Sequence, residues 1–410
     1  MKRVLTFKRA RTYALVFIGL YIAAWTYELS SGSPPLYGDN VPIGGDYIAF
    51  HAAGRLLLNG RGSDLYDRSA VMSVQDGFLA GRALGFFDAF RNPPFAALPF
   101  VPLALIDLVP GFVVWSLLSL GCLGLGLRLL LDEIPSLKPR WRGLVILVFA
   151  FAPVFFGLID GENGTVSLLL FVLIYRALVR NQDKQAALWA ALGLFKPQLF
   201  FVFPVVLLAR RGWTALLVYA LAAFGLAGIS WALVGPDGLA AWLRILIEPE
   251  SGQVLVNAWR MVSLKSFLDT LLPGQQAVAL GLYVPASVLL LVVLFRRWAD
   301  RRAPLQMLWI FTSLVAVLVD PHLVDYDLTV LVPAGVFAAL LVPTVRWWLV
   351  VLYVLLIFRA QLPLVGDSAI QLSAVCLLIC LGLVWPLAQE QLVADRRRWK
   401  ELTHRLWEKA

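Results

Sequence analysis

A single carboxylate near the start of the chain is the first candidate for chemistry. Asp46 lies in the sequence Gly44-Gly45-Asp46-Tyr47, a polar stretch that follows the first long apolar segment. A carboxylate at the edge of a membrane can take the proton of a hydroxyl group that comes within hydrogen-bonding distance. For Asp46 taken alone, the alternative interpretation is a solvated loop residue.

Other polar segments add candidates for binding an anion. His322 follows Pro321 at the end of an apolar segment, where a histidine can bind a phosphate oxygen or transfer a proton. For His322 alone, the alternative is a loop histidine whose hydrogen bonds are satisfied within the protein. Lys196 interrupts an apolar segment, and an ionisable residue within a membrane is costly and therefore a functional candidate. A lysine whose stem reaches the interface is the alternative. Arg55 and Arg260 could bind phosphate bidentately, with a purely structural role as the alternative for each.

Several motifs of soluble enzymes are missing from the sequence. It contains no phosphate-binding GxxxxGK[ST], no HExxH and no GxSxG pattern. The three cysteines, Cys122, Cys376 and Cys380, lie in apolar segments without the spacing of a metal site. We therefore expect neither a metal nor a cofactor, and we expect no cytosolic nucleotide sugar as a donor.

The composition identifies the class of protein. The 410 residues are 60% hydrophobic, and the mean hydropathy is +0.78. Because about 20 apolar residues cross a bilayer as a helix, and many segments reach that length, the sequence predicts an all-α polytopic membrane protein. The net charge of +9 lies mostly in short segments between spans, which fits the positive-inside rule and not nucleic-acid binding.

We expect one membrane unit over residues 1–410 with about 12 transmembrane helices and both termini in the cytoplasm. Residues 12–29 are predicted to form a retained first span rather than a cleaved signal peptide. Residues 30–92 would form a long extracytoplasmic loop that carries the catalytic residue. Residues 93–389 would supply the remaining spans, and residues 390–410 a basic cytoplasmic tail.

The long first loop contains two segments with helical, amphipathic spacing, at residues 47–59 and 69–82. Short helices of this kind lie in the membrane interface.

The order of the spans contains one conflict. Strict alternation places the basic segments 138–142 and 180–184 outside, against the positive-inside rule. Half-spans at the short apolar segment after residue 92 and at the Lys196-Pro197 break would remove it, so the topology of residues 93–209 stays open.

Short motifs along the chain resemble those of glycosyltransferase family 87. The motifs are, in order, Gly45-Asp46-Tyr47, Asp64-Leu65-Tyr66-Asp67, Asn92-Pro93-Pro94-Phe95, Gly161-Glu162-Asn163, Gly193-x-x-Lys196-Pro197-Gln198, Arg211-x-Trp213, Asn257 to Ser263, and Pro321-His322 with Tyr326-Asp327. The resemblance covers about residues 10–340. Glu162 departs from the usual Gly-Gln-x-Asn form, which puts a role for that turn in doubt.

The resemblance implies a membrane glycosyltransferase with a GT-C-type fold. Family members are typified by α-mannosyltransferases that use polyprenol-phosphate-mannose. Asp46 would be the general base of an inverting transfer, while His322, Lys196 and Arg260 would hold the donor phosphate. Further candidates for substrate binding are Arg55, Tyr47, Asn163, Gln198, Asn257, Ser263 and Trp259. The partners would be a polyprenyl-phosphate-linked sugar, a lipid or glycan acceptor, and the bilayer.

The expected location is a bacterial inner membrane, with the site facing the periplasm. The alternative is a polytopic transporter or a flippase for lipid or polysaccharide, which would also have many spans and broken helices. No inverted repeat is visible, and the first loop is long for a carrier. A polymerase or ligase of lipid-linked glycans would carry its key residues in a large late loop, and here the late loop is shorter than the first.

Overall fold

The computed structural model describes residues 6–38, 40–79, 82, 87–247, 260–300, 302–364 and 366–385. It is 77% helical, with 17 α-helices among the described residues. Their bounds are α1 Phe7–Ser31, α2 Tyr47–Leu58, α3 Arg68–Gly77, α4 Leu108–Glu133, α5 Trp141–Phe149, α6 Ala152–Ile159, α7 Gly164–Val179, α8 Asp183–Leu192, α9 Pro197–Phe200, α10 Val202–Ala209, α11 Trp213–Ile247, α12 Leu264–Leu271, α13 Gln276–Ala299, α14 Leu305–Val319, α15 Leu331–Leu341, α16 Val345–Phe358 and α17 Leu372–Val384. Two short antiparallel strands, β1 Gln361–Pro363 and β2 Ala369–Gln371, join α16 to α17.

The chain is an integral membrane protein. Within the described ranges, four helices are long and apolar enough to cross a membrane, namely α1, α4, α11 and α13. A fifth span results if α5 and α6, which are bent by 65° at a short break, are counted together. Large apolar side chains such as Phe224 and Leu289 are 77% and 61% exposed, as expected for helices that face lipid. These lengths support four or five spans, and the expected number of about 12 stays a prediction.

Two apolar segments are interrupted instead of forming continuous helices. The segment after Asn92 forms 3₁₀ turns at Pro94–Phe100 and Leu103–Leu105, because its prolines lack the amide hydrogens that an α-helix needs. A further 3₁₀ turn, Gly193–Phe195, ends α8 just before Lys196, and Pro197 starts the next helix. Lys196 therefore lies at a break between short helices.

The ends of the helices divide into two groups. Glu133 at the end of α4 pairs with Arg180 at the end of α7, with 2.8 Å between Oε1 and Nη2. Asp183 at the start of α8 pairs with Arg210 after α10, at 2.9 Å. We call this the basic end, and we call the opposite end, where α4 begins against α2, the site end. The basic segment 180–184 therefore lies at the same end of the protein as Arg210, in agreement with the positive-inside rule.

The helices expected in the first loop form as α2 and α3. Nine residues of α2 are buried, and Ile48, Ala52 and Leu56 are at most 1% exposed. They belong to an apolar cluster with Phe100 and Trp115, so α2 packs inside the protein.

Two glycine turns bring the first loop against the break between α6 and α7. Gly161 has a φ of 68°, and a Cβ there would lie 2.5 Å from the Cβ of Tyr47 and 2.9 Å from the oxygen of Gly44. The Tyr47 amide donates to the Asp160 oxygen at 3.2 Å. We call this close approach the glycine contact, and it holds Asp46 beside residues 160–162.

We expect Gly161→Ala to lower the free energy of unfolding by about 2–4 kcal/mol. Roughly 1 kcal/mol would come from the left-handed backbone, and about 1–3 kcal/mol from the overlap with Tyr47. Chemical unfolding in detergent would measure the loss.

Gly60→Ala is the matched control, because Gly60 has nearly the same φ, 70°, but no neighbouring atom within 4 Å of the added Cβ. Its loss should be about 1 kcal/mol. Equal losses in the two variants would contradict the importance of the glycine contact.

Candidate active site

Asp46 directs its carboxyl group into the protein at the site end. It precedes α2 with φ −65° and ψ −11°, and its side chain does not cap that helix. Instead, the glycine contact holds Asp46 beside Glu162, whose carboxyl group acts on that of Asp46 through its charge and a hydrogen bond. The pKa of Asp46 is raised well above its ordinary value by burial and by the negative charges of Asp88, Glu162 and Asp160. A raised pKa makes Asp46 a stronger base than an ordinary aspartate.

Glu162 continues this chain of contacts towards a buried lysine. Its Oε2 lies 3.4 Å from Nζ of Lys196 and accepts a hydrogen bond of 3.3 Å from the amide of Asn163. Lys196 also donates to Oδ1 of Asp327. The side chains of Lys196, Glu162 and Asp327 are only 5–7% exposed, so this is a buried ion network in which each charge needs its partners.

A second network surrounds Arg260. Its Nη2 lies 3.1 Å from Oδ2 of Asp160, and its Nε lies 3.7 Å from Oδ1 of Asp325. Arg359 donates from Nε to the other oxygen of Asp325 at 2.8 Å. Burial raises the pKa of Asp160 to about 6, although Arg260 acts to lower it.

Tyr326 lies between the two networks. The centroid of its ring is 5.1 Å from Nζ of Lys196 and 5.7 Å from Cζ of Arg260, which are cation–π distances. We call the whole set the ion cluster; its members are Asp46, Asp160, Glu162, Lys196, Arg260, Asp325, Tyr326, Asp327 and Arg359. Five of these described residues are carboxylic acids and three are cations.

His322 lies at the open edge of the ion cluster. Its side chain is exposed, and its amide donates to Oδ1 of the fully buried Asp320 at 2.8 Å. Desolvation, together with the positive charges of Arg91 and Lys196, lowers the pKa of the imidazole to about 4. Burial raises the pKa of Asp320 well above its ordinary value. The predicted role of His322 in phosphate binding stays a prediction.

Two predicted residues on α2 have the contacts of packing residues. Tyr47 is 0% exposed and packs its ring against Phe100 and Phe112, which leaves no open face for a sugar. The guanidinium of Arg55 lies 5.7 Å from the ring centroid of Phe78.

The remaining predicted residues are spread around the cluster. Asn163 is buried beside Glu162, and its Oδ1 has no hydrogen-bond partner among the described residues. The Ser263 hydroxyl caps α12 by accepting from the Ser266 amide. Gln198 lies on α9, two residues after Lys196. The predicted residues Asn257 and Trp259 lie outside the described residues.

Sequence reasoning did not select several members of the ion cluster as site residues. Asp160, Glu162, Asp325 and Asp327 were not among the predicted site residues, although Glu162 and Asp327 belong to motifs that resemble those of the family. Arg359 had no local signal at all. It ends α16 with a left-handed φ of 45°, and its contact with Asp325 is visible only in three dimensions.

The ion cluster combines two chemical capacities. Asp46 can accept a proton, and Lys196 and Arg260 can stabilise negative charge in a region of low dielectric constant. Among the described residues, no group of three or more His, Cys, Asp or Glu side chains is arranged to hold a metal ion.

A comparison with protein-family models finds a match to the model described as glycosyltransferase family 87, over residues 90–324. This is more than half of the chain, and it includes Glu162, Lys196, Arg260 and His322. Searches of the curated proteins and of the solved structures find no match.

We expect Lys196→Met to lower the free energy of unfolding by about 3–5 kcal/mol, because it leaves two buried carboxyl groups without their cation. Adding Asp327→Asn should recover part of this loss, since it removes one of the unpaired charges. Chemical unfolding in detergent of Lys196→Met, Asp327→Asn and the double variant would measure the coupling energy between the two residues. We expect it to be about 0.5–3 kcal/mol.

Lys265→Met is the matched control. Lys265 pairs with Asp269 one helical turn away at 2.7 Å, but both side chains are partly exposed. Its loss should be about 0.3–0.5 kcal/mol. Additive effects of Lys196→Met and Asp327→Asn would contradict the buried network.

Proposed function

Because the chain belongs to glycosyltransferase family 87, we propose that it transfers a sugar, with mannose favoured, from a polyprenyl-phosphate donor to a lipid or glycan acceptor. One observation carries the finer part of this proposal. The carboxyl group of Asp46 lies in the same ion cluster as Lys196 and Arg260, so a base and two cations lie within one site.

In the proposed reaction Asp46 is the general base. It takes the proton of the acceptor hydroxyl while the hydroxyl oxygen attacks the anomeric carbon of the donor. The bond between this carbon and the phosphate oxygen breaks, and its electron pair leaves with the polyprenyl phosphate. A single displacement inverts the configuration, so a β-linked donor gives an α-linked product.

Lys196 and Arg260 would stabilise the negative charge of the leaving phosphate, with His322 contacting it from the open edge. In the structure both cations are paired with carboxylates. Burial raises the pKa values of Asp160 and Asp327 to about 6 each, against the lowering effect of their cations. Protonation of either group as the phosphate binds would release the charge of its cation to the donor.

The position of the charges supports a site on the extracytoplasmic side. Arg180 and Arg210 lie at the basic end, which the positive-inside rule assigns to the cytoplasm. The ion cluster lies at the opposite end and would face the periplasm of a bacterial inner membrane.

A transporter or flippase is the competing function. Membership in a glycosyltransferase family favours transfer of a sugar over its transport. The two functions differ in whether a covalent product forms, which the following experiment measures.

We expect Asp46→Asn to reduce sugar transfer by about 10²–10⁴-fold, because the amide cannot accept the proton. Purified protein would receive radiolabelled polyprenyl-phosphate-mannose and a membrane lipid extract as the acceptor. Glu28→Gln is the matched control, since Glu28 is an exposed carboxylate on α1 outside the ion cluster.

Full transfer by a folded Asp46→Asn variant would contradict the proposed base. The assay would be repeated with mannose-, arabinose- and glucose-linked polyprenyl phosphates. If the protein transfers a sugar from none of them, the proposed donor is contradicted.

The proposed orientation, with the site end facing the periplasm and the basic end facing the cytoplasm, predicts which engineered cysteines react with a reagent that cannot cross the membrane. In a variant that lacks the three natural cysteines, Ser63→Cys at the site end should react with a membrane-impermeant maleimide in intact spheroplasts. Gln185→Cys at the basic end should react only after the membrane is opened. Both positions are exposed in the structure. The reverse pattern would contradict a periplasmic site.

A further inference from the structure

Glu162 has no role in the proposed reaction as described so far, although it lies next to the proposed base, Asp46. Its side chain is 5% exposed, and on one side the glycine contact holds Asp46 next to it, where a hydrogen bond between the two carboxyl groups acts to raise the pKa of Asp46. On the other side its Oε2 lies 3.4 Å from Nζ of Lys196 and accepts from the amide of Asn163. These contacts fix the direction of the carboxyl group.

Two carboxyl groups joined by a hydrogen bond must share a proton, because two ionised carboxylates repel each other and have no hydrogen to donate. The ammonium group of Lys196 lies beside Glu162, so the negative charge of the pair is best stabilised on Glu162. A proton bound by the pair is therefore better placed on Asp46 than on Glu162.

We propose that Glu162 is a positioning residue for the general base, whose carboxylate receives the hydrogen bond of the Asp46 O–H group formed during sugar transfer. This inference rests on the proposed function. The proton moves from the acceptor oxygen to an oxygen of Asp46, and no bond at Glu162 forms or breaks except this hydrogen bond. Glu162 thereby stabilises the protonated base and does not touch the substrate.

Other charged and titratable groups also face Asp46. Asp88, in the segment before the 3₁₀ turn Pro94–Phe100, and Asp160, at the end of α6, raise its pKa together with Glu162. Arg260 and Tyr326 interact with it from the segments that precede α12 and α15. Of the groups that raise the pKa, Glu162 is the one that also makes a hydrogen bond to the carboxyl group.

The sign of the pH effect follows from these contacts. Asp46 works as a base only where it is ionised, so a raised pKa moves the acid limb of the rate profile to higher pH. Glu162→Gln removes a negative charge and lowers the pKa of Asp46. The acid limb should then move to lower pH, and the rate on the plateau should fall because the base is weaker.

The first test is the pH profile of kcat/KM for sugar transfer by Glu162→Gln. Glutamine keeps the size of the side chain and can still accept a hydrogen bond from Asp46. We expect the acid limb to move to lower pH by about one unit or more. This is because two groups that titrate as a coupled pair interact by more than about one pKa unit. The control Glu28→Gln should keep the wild-type profile. An unshifted limb in an active Glu162→Gln enzyme would overturn the proposal.

The second test needs no sugar donor. Infrared difference spectroscopy detects the carbonyl band of a protonated carboxyl group. Such bands should persist in the wild type at pH values where an ordinary aspartate is ionised. Because Asp160, Asp320 and Asp327 also have raised pKa values, the band of Asp46 is the one that Asp46→Asn removes. In Glu162→Gln the band should titrate at lower pH.

The two tests separate this inference from the proposed function. Identical infrared titrations of the wild type and Glu162→Gln would overturn the role of Glu162 even if sugar transfer is established. A wild type that transfers no sugar would overturn the proposed function and leave the infrared result to decide the pairing. If Glu162→Gln does not fold, a wild-type spectrum without the Asp46 band overturns the proposal.

Discussion

The balance of buried charge is the constraint on which the site depends. Charged groups away from water are costly unless they are paired or neutralised. Lys196 is held between Glu162 and Asp327, and Arg260 between Asp160 and Asp325. The carboxylic acids of the ion cluster outnumber its cations, and burial together with neighbouring carboxylates raises the pKa of Asp46, Asp160 and Asp327. A carboxylate with a raised pKa takes a proton from a substrate more readily than an ordinary carboxylate does.

The fold brings the paired charges together because several of its helices are interrupted next to one another in the structure. The break between α6 and α7 supplies Asp160 and Glu162, and the break between α8 and α9 supplies Lys196. Interrupted helices leave free backbone groups, which are tolerated only inside the protein or facing a cavity. The glycine contact then brings Asp46 to the same level, because Gly161 leaves room for the backbone of the first loop.

The properties that depend on local sequence were predictable. Segment length and hydropathy predict α1, α4 and α13, and the cost of a charge in an apolar segment selects Lys196. Two kinds of feature were not predictable. Hydropathy suggests a short span over residues 94–105, but the spacing of its prolines produces 3₁₀ turns. The pairing of Asp46 with Glu162 joins residues that are far apart in sequence, and only tertiary structure brings them together.

Lys196 connects the two halves of the proposed chemistry. It is the cation that holds Glu162, and it is also one of the cations offered to the donor phosphate. When a phosphate competes for Lys196, less positive charge remains to offset Glu162. The negative potential at Asp46 then increases, and its pKa rises further. On the proposed function, Asp46 would therefore be a stronger base when the donor is bound than when the site is empty. Such coupling favours transfer to the acceptor only after the sugar is in place, because the base reaches its full strength at that point.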